Sequence, residues 1–297
     1  MMVPSPVSSL RSVALDVADL AAVEKFFVEV WRLSVSDRSD ATVFLRATGT
    51  NHHVVSLHKS DKTALRNVTL RTGSLDDLQR IEAATKAASG TIVSPIGPVP
   101  EPCGGSGLTI RDPHGRLIRI VHGDRLVAES ADGRDRPVRL AHVVLNSRDV
   151  PASQKFLESV LGFRLIDRTR IMAFMNCNSD HHTIAFADAD NDALNHVAFL
   201  MPDLESVMRG GGRLKDAGFP IEWGPGRHGP GNNAFNYFVG PEGIVVEYTA
   251  EVEQVDDRYA VGTPDKWGWP QGRFDHWGIS GPPSARLKEA QRQVLFG

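Results

Sequence analysis

ALNHVAFLMPDLESV, residues 193–207, reads as a strand of alternating character running into a helix, and the chain carries a second version of it, ALRNVTLRTGSLDDL, at residues 64–78. The two stand 129 positions apart. Working outward, LDVADLAAVEKFF (15–27) matches LNSRDVPASQKFL (145–157) at an offset of 130. NHHVVSL (51–57) matches DHHTIAF (180–186) at 129, and DPHGRLIRIV (112–121) matches GPEGIVVEYT (240–249) at 128. Ordered matches at a nearly constant offset identify a duplicated domain, with its joint in the polar stretch ESADGRDRP (129–137). Each copy divides again: an alternating strand (AHVVLNS, NHVAFLM) precedes an amphipathic helix (151–161, 203–217), and short strands such as RIMAFMN, HHTIAFA and FNYFVG follow. The turn sequences DPHG and GPEG join the last two strands of a unit. The unit is β-α-β-β-β, used at 10–58, 66–122, 139–187 and 193–250. One such unit cannot close a core, so units are expected to pair within each half. The predicted architecture is α+β: two tandem homologous domains, 1–130 and 138–250, each of two paired βαβββ units, with a C-terminal tail over 251–297.

Composition sets the class. The 297 residues are 41% hydrophobic and 23% charged, with a net charge of −3, as in a soluble globular protein. There is no basic stripe to suggest nucleic acid, no apolar run of membrane-spanning length and no apolar core for a signal peptide in MMVPSPVSSLRS. Two distant cysteines, Cys103 and Cys177, indicate neither a disulfide framework nor a zinc ribbon. A cytoplasmic protein is expected, with no nucleic-acid or membrane partner.

Comparing the copies isolates a candidate site. His142 matches Ser12, His196 matches Asn67 and Glu247 matches Arg119. Three potential ligands stand in the C-terminal half, and all three counterparts are non-ligands. His142 and His196 open successive units, so a pseudo-twofold pairing of units would bring them together. Glu247 lies in GIVVEYT, where inward positions should be apolar, and a buried carboxylate needs a metal or an arginine. Taken singly, each histidine reads more simply as a half-buried strand residue. Taken together with Glu247, they form the two-histidine, one-carboxylate facial triad suited to non-heme Fe(II), which leaves positions for a vicinal diol and dioxygen.

The residues GPGRHGPGNNAFNYFVGPEGIVVEYT (224–249) resemble the signature of the two-domain type I extradiol ring-cleaving dioxygenases of the vicinal oxygen chelate superfamily. That signature has a His, a Tyr nine residues on and a Glu ten beyond, here His228, Tyr237 and Glu247. The resemblance spans about residues 10 to 250 and implies His142, His196 and Glu247 as ligands of Fe(II), with Mn(II) as an alternative. It implies a metal-free N-terminal half, in keeping with Ser12, Asn67 and Arg119. It further implies a catechol and O2 as substrates, and a homo-oligomer is expected.

Roles follow from the resemblance. The base that takes a catechol proton is expected at His181, with His182 pointing to the opposite strand face. HH recurs at 52–53 where no metal is expected, so the pair has a purely structural reading as well. Tyr237 and His228 are expected beside the substrate oxygens, and Phe174, Asn232 and His182 as substrate contacts. A buried strand tyrosine, a solvated loop histidine and a core phenylalanine are the plainer readings of Tyr237, His228 and Phe174. Val144 is apolar where some relatives carry a polar residue near the oxygen site, Pro230 and Gly231 replace polar loop residues of the biphenyl-diol branch, and the loop resembles the monocyclic branch more closely. The tail stretch DKWGWPQGRFDHWGIS (265–280) is expected to cover the mouth of the site or form a subunit contact. The rivals are a glyoxalase- or epimerase-like metalloenzyme of the same superfamily, which usually draws ligands from both units' last strands, often with a second Glu, and a non-catalytic binding protein of this fold.

Overall fold

The computed structural model describes residues 5–131 and 133–297; Met1–Pro4 and Asp132, in the polar joint, lie outside the described residues. The first half runs β1 (Val7–Val17), α1 (Leu20–Lys25), β2 (Ser34–Arg38), β3 (Thr42–Arg46) and β4 (Val55–Lys59). It continues with β5 (Ala64–Thr72), α2 (Leu75–Ala87), β6 (Thr91–Pro98), β7 (Ser106–Arg111) and β8 (Leu117–His122). The second half repeats this order: β9 (Arg139–Ser147), α3 (Val150–Phe156), β10 (Arg164–Arg168), β11 (Met172–Asn176) and β12 (Ile184–Asp188). Then come β13 (Leu194–Leu200), α4 (Leu204–Asp216), β14 (Trp223–Arg227), β15 (Ala234–Val239) and β16 (Val245–Ala250). The tail adds α5 (Ala285–Ala290) and β17 (Leu295–Phe296). Four β-α-β-β-β units are therefore present, and the chain has the α+β fold expected of it.

The strands form two mixed sheets in the same order, β2-β3-β4-β1-β5-β8-β7-β6 with β17 beside β5, and β10-β11-β12-β9-β13-β16-β15-β14. In each, the first strands of paired units meet antiparallel at the centre, and each of them runs parallel to the last strand of its own unit. This arrangement makes the pseudo-twofold relation: equivalent residues of two units face each other across β1–β5 and across β9–β13.

Central strands are buried on both faces, which explains their near-continuous apolar character. One face carries the helices. Aspartates at N-cap positions, Asp149 and Asp203, accept the amide N–H of Ala152 and Ser206 and start α3 and α4. α3 continues as a π-helical turn over Leu157–Leu161 and ends at Gly162 with φ 71°, a left-handed position that favours glycine. On α4, a Cβ at Gly210 would stand 2.7 Å from the Tyr248 ring, so glycine permits the helix to lie on β16. The helix faces of the two halves share one core: Trp31 of the first half is fully buried, stacks on Tyr248 at 3.7 Å and meets Phe199 edge-on at 5.3 Å. No helix among the described residues is long and apolar enough to cross a membrane.

Candidate metal centre

The opposite face of the second sheet carries the chemistry. His142 pairs with Ala198 and His196 with Val144, so the two histidines sit on neighbouring strands in pseudo-twofold positions. β16 runs beside β13 with Glu247 opposite Ala198. Nε2 of His142 and Nε2 of His196 each lie 3.2 Å from the same oxygen, Oε2 of Glu247. The three side chains are buried, Glu247 completely, and their ligand atoms all lie within 4.8 Å of one another.

These residues fit a divalent metal. Metal–ligand bonds of about 2.1 Å put adjacent ligands about 3 Å apart, close to the spacing seen. Among the described residues no Lys or Arg pairs with Glu247, and a wholly buried carboxylate without a cation is costly. Burial pushes His196 down to about 4 against the opposing pull of Glu247, so its ring is neutral at pH 7, as ligation requires. Burial alone would raise the Glu247 carboxyl, but the surrounding imidazoles, His142 foremost, then His196 and His228, hold it well below the usual range. Asn195 fixes the His196 ring through a 2.8 Å contact between its Oδ1 and Nδ1 of His196.

Tyr237 and His228 join the site. The Tyr237 hydroxyl lies 3.0 Å from Nε2 of His228 and 3.5 Å from Nε2 of His196. Burial, then the neighbouring Glu247 charge, raises this phenol well above its ordinary value, so it remains a donor. The His228 ring stacks on Phe235 at 3.9 Å, with its Nε2 3.7 Å from Glu247. Phe174 stands edge-on to His182 at 5.1 Å and clusters with Val144 and Ala185, an apolar wall beside the ligands.

Two expectations are corrected. His181 does not face the ligands: its Nε2 is 2.8 Å from Asp167 and its ring meets Tyr259 edge-on. His182 does, with its ring centroid 4.1 Å from that of His142. Strict alternation counted back from Ala185, which faces the site beside Val144, puts residue 181 on the site's face. The alternation does not reach that far, because β12 begins at Ile184 and residues 181–183 form a bend. Asn232 is likewise misplaced. It is exposed at φ 45°, and its neighbour Asn233 turns inward, with Nδ2 donating to Thr249 Oγ1 at 2.7 Å and lying 3.5 Å from Glu247 Oε1. Gly231, at φ 82°, makes room for this turn; a Cβ there would stand 2.9 Å from the Asn233 amide oxygen and 3.2 Å from the His182 ring.

Sequence reasoning missed Asn195, Asn233, Trp223, Asp167 and Tyr259. Trp223 stacks on Tyr237 at 5.1 Å and contacts His228. Asn195 and Asn233 stand directly beside a named ligand or loop and had that adjacency as a signal; Asp167 and Tyr259 had none. The tail lies on this half. Trp267 and Trp269 approach Gly229, next to His228, and Leu287 and Ala290 of α5 pack on Phe235 and Tyr237.

The chain is similar to proteins of known family and structure. The family model of the Glyoxalase/Bleomycin resistance protein/Dioxygenase superfamily matches residues 139–248. The Mn(II)-bound glyoxalase from Novosphingobium aromaticivorans is 35% identical, with a TM-score of 0.86 over 95% of this chain and 94% of that one. The chain belongs to the glyoxalase/bleomycin resistance protein/dioxygenase superfamily. Metapyrocatechase 2 of Cupriavidus necator is 27% identical over 291 residues, 90% of this chain and 86% of that protein. A variant of homoprotocatechuate 2,3-dioxygenase from B. fuscum is 25% identical, with a TM-score of 0.81 over 94% of this chain and 81% of that one. Within the superfamily the chain is a type I extradiol ring-cleavage dioxygenase, an oxidoreductase with a buried two-His, one-Glu site.

Proposed function

We propose that this dioxygenase opens the ring of a monocyclic substituted catechol with O2, using Fe(II) held by His142, His196 and Glu247. The observation that carries this reading is the convergence of two imidazole Nε2 atoms on one fully buried carboxylate oxygen, with a histidine, a tyrosine and an apolar wall around it. A metal held by His142, His196 and Glu247 would supply Lewis acidity toward the diol and a means of engaging O2.

The chain's own residues do the rest. Burial, reinforced by His142 and His181, lowers His182 well below its ordinary value, so it is an unprotonated base at neutral pH. His182 takes the catechol proton at Nε2 and holds it for return to an oxygen of the reacting complex. Tyr237, kept protonated, donates a hydrogen bond to a substrate oxygen, and His228 orients that hydroxyl. Phe174, Val144 and Trp223 take the apolar ring and exclude water. The short loop with Pro230 and Gly231 favours a single ring over a biphenyl diol.

A glyoxalase-type reaction is the second reading, favoured by the 35% identical Mn(II)-bound relative. That chemistry usually draws a second carboxylate from the pseudo-twofold mate of Glu247. Here β12 pairs with β9 as β16 pairs with β13, and the mate is Ala185, an apolar residue with no ligand atom. Three donors support ring cleavage. The test is anaerobic reconstitution with Fe(II) or Mn(II), followed by a panel of catechols read for the yellow ring-opened product and oxygen uptake. Turnover of substituted monocyclic catechols with Fe(II) supports the reading. Inertness toward all catechols, with isomerisation of a hemithioacetal, refutes it.

A further inference from the structure

Behind His182 lies a chain of buried hydrogen bonds that the proposed chemistry does not itself require. Nδ1 of His182 is 3.1 Å from Nδ1 of His181, with the two rings nearly perpendicular. Nε2 of His181 is 2.8 Å from Oδ2 of Asp167. Asp167 is completely buried and accepts two further hydrogen bonds, from the Tyr259 hydroxyl at 3.1 Å to Oδ2 and from the Gly262 amide at 2.6 Å to Oδ1. Nε2 of His182 makes no hydrogen bond to another described residue.

A hydrogen bond between two Nδ1 atoms needs one of them protonated and the other bare. Asp167 decides which. Its carboxylate accepts the N–H of His181 at Nε2, so a singly protonated His181 has a bare Nδ1. The proton between the rings then belongs to His182. We infer that Asp167 and His181 are positioning residues that lock His182 in the Nδ1–H tautomer, which leaves its Nε2 lone pair free beside the metal site. This rests on the reading of His182 as the proton-transfer group, whose base must be Nε2. An unlocked ring would spend part of its time with Nε2 protonated, unable to accept.

The metal-free half supplies the contrast. Its histidine pair keeps the same 3.1 Å Nδ1–Nδ1 contact, but Nε2 of its inner ring, His53, faces Glu101 at 3.5 Å, and Asp37, in the place of Asp167, makes no hydrogen bond to His52. The paired rings are thus a feature of the fold, and the carboxylate that directs them belongs to the catalytic half.

Asp167→Asn tests the lock, because the Gly262 amide requires an oxygen at Oδ1 and so turns the new NH2 toward His181. His181 would then accept at Nε2, carry its proton on Nδ1 and donate it to His182, which would move to the Nε2–H tautomer. The readout is long-range 15N–1H correlation of histidine rings in the Zn(II)-loaded, diamagnetic holoenzyme. The expected result is a protonated Nδ1 and bare Nε2 on His182 in the unmodified protein, with the two exchanged in Asp167→Asn. In the Fe(II) enzyme kcat falls by about a hundredfold with KM changed less than about twofold. Tyr259→Phe, which removes a bond to Asp167 but leaves the lock, keeps the original tautomer. A proton on Nε2 of His182 in the unmodified protein, or an unchanged tautomer in Asp167→Asn, overturns the inference, and the first measurement decides it even if the variant fails to fold. If instead the tautomer behaves as stated but His182→Phe leaves kcat intact, the lock stands and the assigned role of His182 falls.

Discussion

The two halves of this chain fold alike and differ at one spot. In the second half, Glu247 is buried against two imidazole nitrogens, with no Lys or Arg paired to it among the described residues. In the first half, Arg119 stands where Glu247 stands, and a carboxylate from the β6–β7 loop, Glu101, comes in to meet it. Arg11 donates to the same Glu101 at 3.2 Å, and to Asp124 at 3.1 Å. Ser12 and Asn67 replace the histidines and bond to neighbouring side chains, Ser12 accepting from Arg11 and Asn67 from Thr69. Burial would raise Glu101, but the neighbouring His53 and the guanidinium of Arg119 hold it well below the carboxylate range. One scaffold thus solves the buried-charge problem twice. The first half carries its own cation, and the second must take one from solution. What separates a structural ion-pair site from a metal site is which partner of the carboxylate the sequence leaves out.

The comparison can be broken most sharply at the ligands. His142→Ala, His196→Ala or Glu247→Ala removes a donor from a three-donor site and should lose iron and at least about a thousandfold in turnover together, as measured by metal analysis and oxygen uptake on the same samples. Full metal occupancy in Glu247→Ala would sink the triad. The equivalent change in the first half, Ser12→Ala, should leave iron content and rate unaltered.

A smaller effect is expected at the histidine pairs. His182→Phe should keep its iron and still bind a catechol, while turnover drops roughly a hundredfold to ten-thousandfold, the usual cost of a positioned acid–base group. His53→Phe, its counterpart, should change kcat per folded molecule by less than about twofold. Equal losses in both variants would show that the pair acts only through folding.

Acid stability sharpens the contrast further. Burial puts His53 at about 4 in the folded protein, opposed by Glu101 3.5 Å away, against an ordinary value of 6.5. The unfolded chain binds the proton more tightly, so stability is full above about pH 6.5 and is lost progressively as pH falls to about 4. The loss attached to this one group is about 3 kcal/mol across that window. Urea titrations of the metal-free protein at a series of pH values should therefore show a shallower pH dependence in His53→Gln; an unchanged slope would contradict the assignment. The smallest effect is expected for Asn67→His: with Arg119 in place, one added imidazole should create no second metal site, and metal analysis should still find one equivalent per chain.

Much of this was legible in the sequence, because duplication turns one chain into its own alignment. The four units were recoverable from the recurring strand-and-helix pattern and the DPHG and GPEG turns. His142, His196 and Glu247 stood out because Ser12, Asn67 and Arg119 lack their chemistry. The failures are local and share a cause. His181 was expected from the resemblance, with strand alternation used only to turn His182 to the other face, and the chain bends over residues 181–183, before β12 begins. Choosing Asn232 over Asn233 depended on a loop in which two consecutive residues, Gly231 and Asn232, take positive φ. Asp167 gave no sign at all. Its burial and its contact with His181 depend on Tyr259 and Gly262, some ninety residues further along the chain, in a tail whose path no local pattern sets.

The central claim is that one half binds the metal and the other replaces it with an arginine. The most direct test is an anomalous difference map from crystals of the Fe(II)-loaded protein, collected at the iron edge. One strong peak among His142, His196 and Glu247, with none among Ser12, Asn67 and Arg119, is the result expected. A peak in the first half, or an iron in the second half that does not touch Glu247, would contradict it.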